Sequence, residues 1–485
     1  MATNLSVRIL STEELEFMKD KVKALLTTKG FKIEHPEVME ILKKAGAEVS
    51  EATGHVKLTS ALYDEALKQV PREFTLAAPD PKNDLKFPHP QGLFHTRTCT
   101  GGMFYPNESE NGEYHHILID EVAEWTRLID ALENINFWSL PSTNPVGFPD
   151  ETIDIHTFEA VIKNTTKHGW VQPYEADNIK YLIEMAAAVA GGADKLRERP
   201  IISAICCGVP PLTYKYMDMN IIYEACKAGV PLQPCSLPAA GANVPITSAG
   251  IALMASAEVM AMILMGQIIA PGIPCVATPL LFQMDMKTTV TTQSSMSTTM
   301  GRMMAMQLFN EGYGIPCHTY GTGTDSCTLD GQSGFEQASI SQMVALSGAS
   351  VLGGAGQLET AKAINPLQLI IDNDVFGMVK ELKGGAIVND EAVDWADLSV
   401  LGEHEGFVDK KHTFKHFRDG YTTKVFSRDS RTGWVEKGSK DMAARAKDRY
   451  QVLKQNYVPN NLSKEVLEQV AAIVKRADKE LGGKN

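Results

Sequence analysis

From about residue 137 onward the chain alternates short apolar runs with longer amphipathic ones, at roughly thirty to forty residues per repeat, and this alternation restricts the fold more than any other feature. Runs at 137–140, 169–172, 201–206, 232–236, 275–278, 314–318, 350–352 and 369–372 read as strands. Helical spacing is predicted over 122–132, 156–164, 178–190, 212–228, 248–268, 294–310, 334–346 and 374–383. Strands joined one by one through helices predict an α/β chain, a (β/α)8 TIM-type barrel. A doubly wound open sheet has the same alternation, because strand order is not written in the pattern.

The chain of 485 residues has room for decorations on such a barrel. Residues 1–100 form an N-terminal helical cap and an irregular segment: 11–28 and 37–45 carry helical apolar spacing, and 74–100 is rich in Pro, Asp and His. The barrel is assigned to 101–390. A C-terminal extension, 391–485, is denser in Asp, Lys, Arg and His and closes with an amphipathic helix over 464–475 behind the cap residue Ser463. It is expected either to cover the barrel mouth or to pack on the outside.

A hydrophobic fraction of 44% and a charged fraction of 22% fit a globular protein with a sizeable core. The formal charge of −13 argues against a nucleic-acid surface, and the basic run from Lys410 to Arg418 is flanked by Asp409 and Asp419. No basic stretch followed by an apolar run opens the sequence, so a cytoplasmic address is expected. The longest apolar region, 249–279, holds Glu258 and Pro271-Gly272 and reads as a buried helix followed by a strand, so no membrane partner is expected. Eight cysteines are scattered without a C-x-x-C pair, which predicts reduced thiols.

Polarity is concentrated at 324–337, where Asp325, Asp330, Glu336, Gln332 and Gln337 follow the predicted strand 314–318 and the turn Gly321-Thr322-Gly323. Strand ends carry the chemistry of barrel enzymes, so Asp325 and Glu336 are candidate catalytic groups and Gln332 a candidate contact. The competing role for Asp325 is a turn or helix-cap residue. Phe104, Tyr105, Trp138, Trp170 and Tyr320 recur near predicted strand ends, with His95, Arg97 and His318 among them, although most aromatic side chains are buried for packing alone. Cys206-Cys207 lacks a third ligand at useful spacing, and His412 and His416 lack the glutamate of a zinc protease, so no metal is expected. Gly353-Gly354-Ala355-Gly356 is the one glycine run that could cradle a phosphate; no G-x-S-x-G elbow is present.

The stretch Thr324-Asp325-Ser326 through Asp330, Gln332, Gly334 and Glu336, with Gly348-Ala349 and Ile371-Asp372-Asn373, resembles the trimethylamine:corrinoid methyltransferase superfamily. Shorter matches at 128–135, 245–250, 257–259, 412–416 and 450–459 extend the resemblance along the chain. It implies a barrel that passes a methyl group from a methylated amine to the cobalt of a separate corrinoid-binding protein, and binds no cofactor of its own. Members acting on trimethylamine carry pyrrolysine near the barrel centre. Here the corresponding region, around Ser326 to Thr328, holds ordinary residues. That departure points to a quaternary amine, with glycine betaine favoured and proline betaine or carnitine as alternatives.

The chemistry agrees with that shift. A quaternary nitrogen leaves as a neutral tertiary amine, so attack by Co(I) asks only for positioning. A permanent cation without N–H donors suits aromatic faces beside a carboxylate, here Phe104, Tyr105, Trp138, Trp170 and Tyr320 with Asp325 or Glu336. A betaine carboxylate would need Arg97, His95 or His318. A non-catalytic betaine-binding protein and a zinc-dependent thiol methyltransferase are the competing classes; a homo-oligomer is left open.

Overall fold

The computed structural model describes residues 4–107, 113–140, 145–403, 405–457 and 462–482. At its centre eight strands lie side by side: β1 His95–Thr98, β2 Phe137–Ser139, β3 His168–Val171, β4 Ile202–Gly208, β5 Leu232–Ser236, β6 Thr278–Pro279, β7 His318–Tyr320 and β8 Val351–Ala355. They pair in parallel in the order β6-β5-β4-β3-β2-β1-β8-β7, and a parallel bridge between Ala277 and Cys317 joins the ends. The sheet is a closed barrel, and the open doubly wound alternative falls away.

A helix follows each strand: α1 Ile119–Ala131, α2 Ile153–Ile162, α3 Asn178–Ala190, α4 Tyr216–Ala228, α5 Ser248–Ile269, α6 Met296–Gln307, α7 Gly331–Leu346 and α8 Pro366–Gly384. Their starts follow from local chemistry. Thr247, Ser295 and Asp330 accept the orphan N–H of Gly250, Thr298 and Ser333, while Asn365 caps α8 ahead of Pro366. α3 and α4 stop where Gly191 and Gly229 take positive φ, +92° and +75°.

One predicted strand is corrected. Residues 369–372 are not the eighth strand but the middle of α8, where Leu369, Ile370 and Ile371 are buried between barrel and outer layer. A short apolar run has no period that separates a strand from a buried helix. The missing strand is β1, from the stretch predicted to be irregular. Its sequence His95-Thr96-Arg97-Thr98 carries no apolar residue, yet all four side chains are buried.

The N-terminal end of the barrel is plugged by a hairpin, Phe74–Leu76 with Leu85–Phe87, whose Leu76, Leu85 and Phe87 join Phe137, Ile205, Val276 and Val351 in one apolar cluster. Helices Thr12–Ala24, Pro36–Lys44 and Ser60–Gln69 pack on α5. Although α5 is long and apolar enough to cross a bilayer, 78% of its most apolar window is buried inside the protein. In the C-terminal extension, Met442–Gln455 packs on α8 and α1 and Lys464–Leu481 on α2 and α3, so both helices thicken the outer layer.

Candidate functional site

The pleat of β1 sends Arg97 into the barrel between Thr96 and Thr98. Its Nε donates to His318 Nε2 at 2.9 Å and its Nη1 to the Thr98 carbonyl at 2.6 Å. The guanidinium lies on the Trp170 ring, with its central carbon 3.7 Å from the ring centre and 5.8 Å from that of Tyr320. Burial lowers its pKa to about 10, so it stays charged at neutral pH. The remaining nitrogen, Nη2, is buried without a well-aligned hydrogen-bond partner among the described residues, while the nearby Tyr320 phenol helps to keep the cation charged.

Among the described residues, the side chains in contact with the Arg97 guanidinium are neutral. Burial first and the Arg97 cation second hold His318 well below the ordinary histidine range. A neutral His318 that accepts at Nε2 carries its proton on Nδ1, which faces Thr278 Oγ1 at 3.3 Å. Burial pushes the Tyr320 phenol up to about 12, so it too is neutral. Gly353 makes the arrangement sterically feasible: a Cβ there would stand 2.4 Å from His318 Nε2 and 2.9 Å from the Arg97 guanidinium.

At the C-terminal mouth, above Tyr320, a cavity of about 500 Å³ is lined by Leu237, Phe282, Val290, Thr291, Thr360 and Lys362, residues of the loops after β5, β6 and β8. Phe282 meets Tyr320 edge to face at 6.0 Å, so one aromatic contact joins this cavity to the Arg97 group. Asp325 stands on the same side as a clasp: its carboxylate accepts from the Gln293 N–H at 2.9 Å, the Ser294 N–H at 3.0 Å and Thr360 Oγ1 at 2.8 Å. Glu336 accepts from Thr324 Oγ1 and the Asp325 N–H, and from Gln332 on α7. The polar density at 324–337 thus ties three mouth loops together.

Arg97, Trp170, His318 and Tyr320, from three strands (β1, β3 and β7), are brought into one contact group, with Asp325 nearby. The other sequence candidates stand apart. His95 lies at the plugged end, its Nε2 on the Lys86 carbonyl and its ring against Phe87. Trp138 points outward from β2, packs on Phe158 and donates to the Lys167 carbonyl at 3.1 Å. Phe104 and Tyr105 belong to the hairpin Phe104–Pro106/Tyr114–His116 beside the mouth, against His116 and His115. Gln332 is exposed on the first turn of α7.

The sequence reading missed Arg302 of α6 and Gln357 after β8. Arg302 is fully buried near Tyr320. Gln357 donates to the Thr322 carbonyl at 2.8 Å, and its Oε1 has no hydrogen-bond partner among the described residues. The only signal for Gln357 was its place just after the glycine run at a strand end. Among the described residues no group of three or more His, Cys, Asp or Glu is arranged to hold a metal ion. Cys206 is buried, and burial drives its thiol well above the usual range.

A sequence profile described as trimethylamine methyltransferase matches residues 2–482. The trimethylamine methyltransferase of Desulfitobacterium hafniense is 30% identical over 472 residues, covering 97% of this chain and 94% of that protein. One from Methanosarcina acetivorans is 28% identical over 488 residues, covering 99% and 97%. The glycine betaine methyltransferase of Desulfitobacterium hafniense is 26% identical over 477 residues and covers 98% of each chain. The crystal structure of the Methanosarcina barkeri monomethylamine methyltransferase superposes with a TM-score of 0.54 at 12% identity, covering 98% of this chain and 88% of that one, which establishes the fold.

Proposed function

This chain belongs to the trimethylamine methyltransferase family and is a methyltransferase, and we propose that its methyl donor is a small betaine, glycine betaine foremost, and its acceptor the Co(I) of a corrinoid-binding protein. The observation that carries the donor is the Arg97 guanidinium, charged, buried at the barrel centre and left with an N–H that no well-aligned acceptor among the described residues takes up. A buried cation with a free donor matches a carboxylate, through a charge-assisted hydrogen bond stronger than a neutral one. Trimethylamine has no group that answers it.

Two of the five aromatic residues expected to cage the substrate's ammonium, Trp170 and Tyr320, already serve Arg97. The substrate is therefore oriented with its carboxylate inward on Arg97 and its trimethylammonium outward in the mouth cavity, where Phe282 contributes an aromatic wall. That pose turns the N-methyl groups toward the open end, where a separate protein must deliver cobalt. In the transfer the methyl carbon–nitrogen bond breaks, its electron pair stays on nitrogen as a neutral tertiary amine, and the Co(I) lone pair forms the new bond to carbon. No proton moves, so the step needs neither acid nor base from the chain. Asp325 and Glu336 are positioning residues in this account, fixing the loops that shape the cavity, rather than proton carriers.

The test is methylation of Co(I)-cobalamin, followed by corrinoid absorbance, across glycine betaine, proline betaine, carnitine, dimethylamine and trimethylamine. Turnover confined to the carboxylate-bearing quaternary amines supports the reading; turnover of trimethylamine alone ends it. Betaine binding with no methyl transfer to cobalt would favour the non-catalytic betaine-binding class.

A further inference from the structure

A second guanidinium reaches the ring that Arg97 faces. Arg302 projects from α6 with no exposed surface, and its Nη2 donates to the Leu281 carbonyl at 2.7 Å, just past the end of β6. Its central carbon is 5.8 Å from the Tyr320 ring centre, the same distance as that of Arg97. Its Nε and Nη1 are buried with no hydrogen-bond partner among the described residues. A purely structural arginine on a helix next to a barrel would be expected to spend its donors on carbonyls or a carboxylate, because buried unpaired N–H groups destabilise the fold that contains them.

The charges near Tyr320 give the class of ligand. Arg97 and Arg302 each contribute one positive charge, while His318 and Tyr320 are neutral. Among the described residues, Asp325 is the acidic side chain whose field acts on Arg302, and its oxygens are committed to Gln293, Ser294 and Thr360. One unit of positive charge is left over, which a single monocarboxylate balances. Resting on the betaine reading above, we propose that Arg302 and Arg97 together form a carboxylate clamp at Tyr320, with Arg302 the residue that selects carboxylate-bearing donors over simple alkylamines.

The clamp is tested with the full chain and its Arg302→Met and Arg302→Lys variants. Glycine betaine and the carboxylate-free probe tetramethylammonium are titrated by calorimetry, and betaine turnover is measured with Co(I)-cobalamin. The Met variant should weaken betaine binding about 10- to 100-fold, the loss expected for a charge-assisted contact. The loss should appear mainly in KM, with tetramethylammonium affinity moved less than about threefold. The Lys variant keeps the charge without the fork and should recover part of the betaine affinity. Equal losses for both ligands, or none for betaine, overturn the clamp. If the Met variant does not fold, the Lys variant decides alone: a betaine-specific loss of about 3- to 10-fold supports the clamp, and equal effects overturn it. A wild-type chain that binds no betaine defeats the functional reading itself, and the clamp falls with it; a wild type that binds betaine beside an unaffected Arg302→Met variant defeats the clamp alone.

Discussion

Replacing Arg97 by Met separates a binding arginine from a structural one, because the two roles move stability and affinity differently. Holding the guanidinium at a pKa of about 10 in place of the ordinary 12.5 corresponds to about 3 kcal/mol against the charged form. Stacking on Trp170 at 3.7 Å returns about 2 kcal/mol, and the hydrogen bonds to His318 and the Thr98 carbonyl about 0.5 to 1 kcal/mol each. Those contributions nearly cancel, so removing the cation should leave stability almost unchanged. With an unfolding entropy of about 1 kcal/mol/K for a chain of this length, Tm should stay within about 2 °C of wild type by differential scanning calorimetry. Affinity behaves otherwise: a lost charge-assisted contact of about 1.5 to 3 kcal/mol raises the betaine KM about 10- to 150-fold. A Tm lowered by more than about 4 °C, or an unchanged KM, would refute the assignment.

Three further substitutions probe the same frame. Gly353→Ala places a methyl group on His318 and Arg97, so it should raise the betaine KM as Arg97→Met does, which initial-rate kinetics will read. Trp138→Phe gives up the hydrogen bond to Lys167 and some packing on Phe158; it should cost about 1 to 2 kcal/mol in urea unfolding and leave the KM within twofold, since the ring faces away from the barrel interior. Burial raises the Asp372 carboxyl from 3.8 to about 7, so its ionised form is penalised in the folded state, where it caps the Gly356 N–H. The stability this group contributes is complete below pH 4 and fades as pH rises through 7. Urea midpoints should therefore reveal a wild-type loss of about 3 kcal/mol between pH 5 and pH 8 that is absent in Asp372→Asn.

Most of the barrel was legible because its strands and outer helices keep distinct apolar patterns; the predicted helix at 178–190 coincides with α3. The sequence failed where chemistry replaces that pattern. β1 reads as irregular because the strand that delivers Arg97 to the centre is polar throughout, its threonines and histidine satisfied by neighbouring backbone and side chains that only the closed barrel supplies. Residues 369–371 mislead in the opposite direction, since α8 is buried on several sides and loses its helical period.

The site was half legible for the same reason. Trp170, His318, Tyr320 and Arg97 were all among the sequence candidates, but nothing local says that the aromatic rings serve an internal cation. The dense polarity after β7 reads as catalytic until its partners are seen: Asp325 and Glu336 spend their oxygens on the loops around them. Arg302 gave no sign, because one arginine in a methionine-rich outer helix has the look of a surface residue until its burial is known.

The decisive measurement offers the chain equal concentrations of glycine betaine and trimethylamine in one anaerobic vessel with Co(I)-cobalamin, and follows both donors by proton NMR. The account predicts that methylcobalamin forms in step with dimethylglycine while trimethylamine persists. Disappearance of trimethylamine with intact betaine would contradict it.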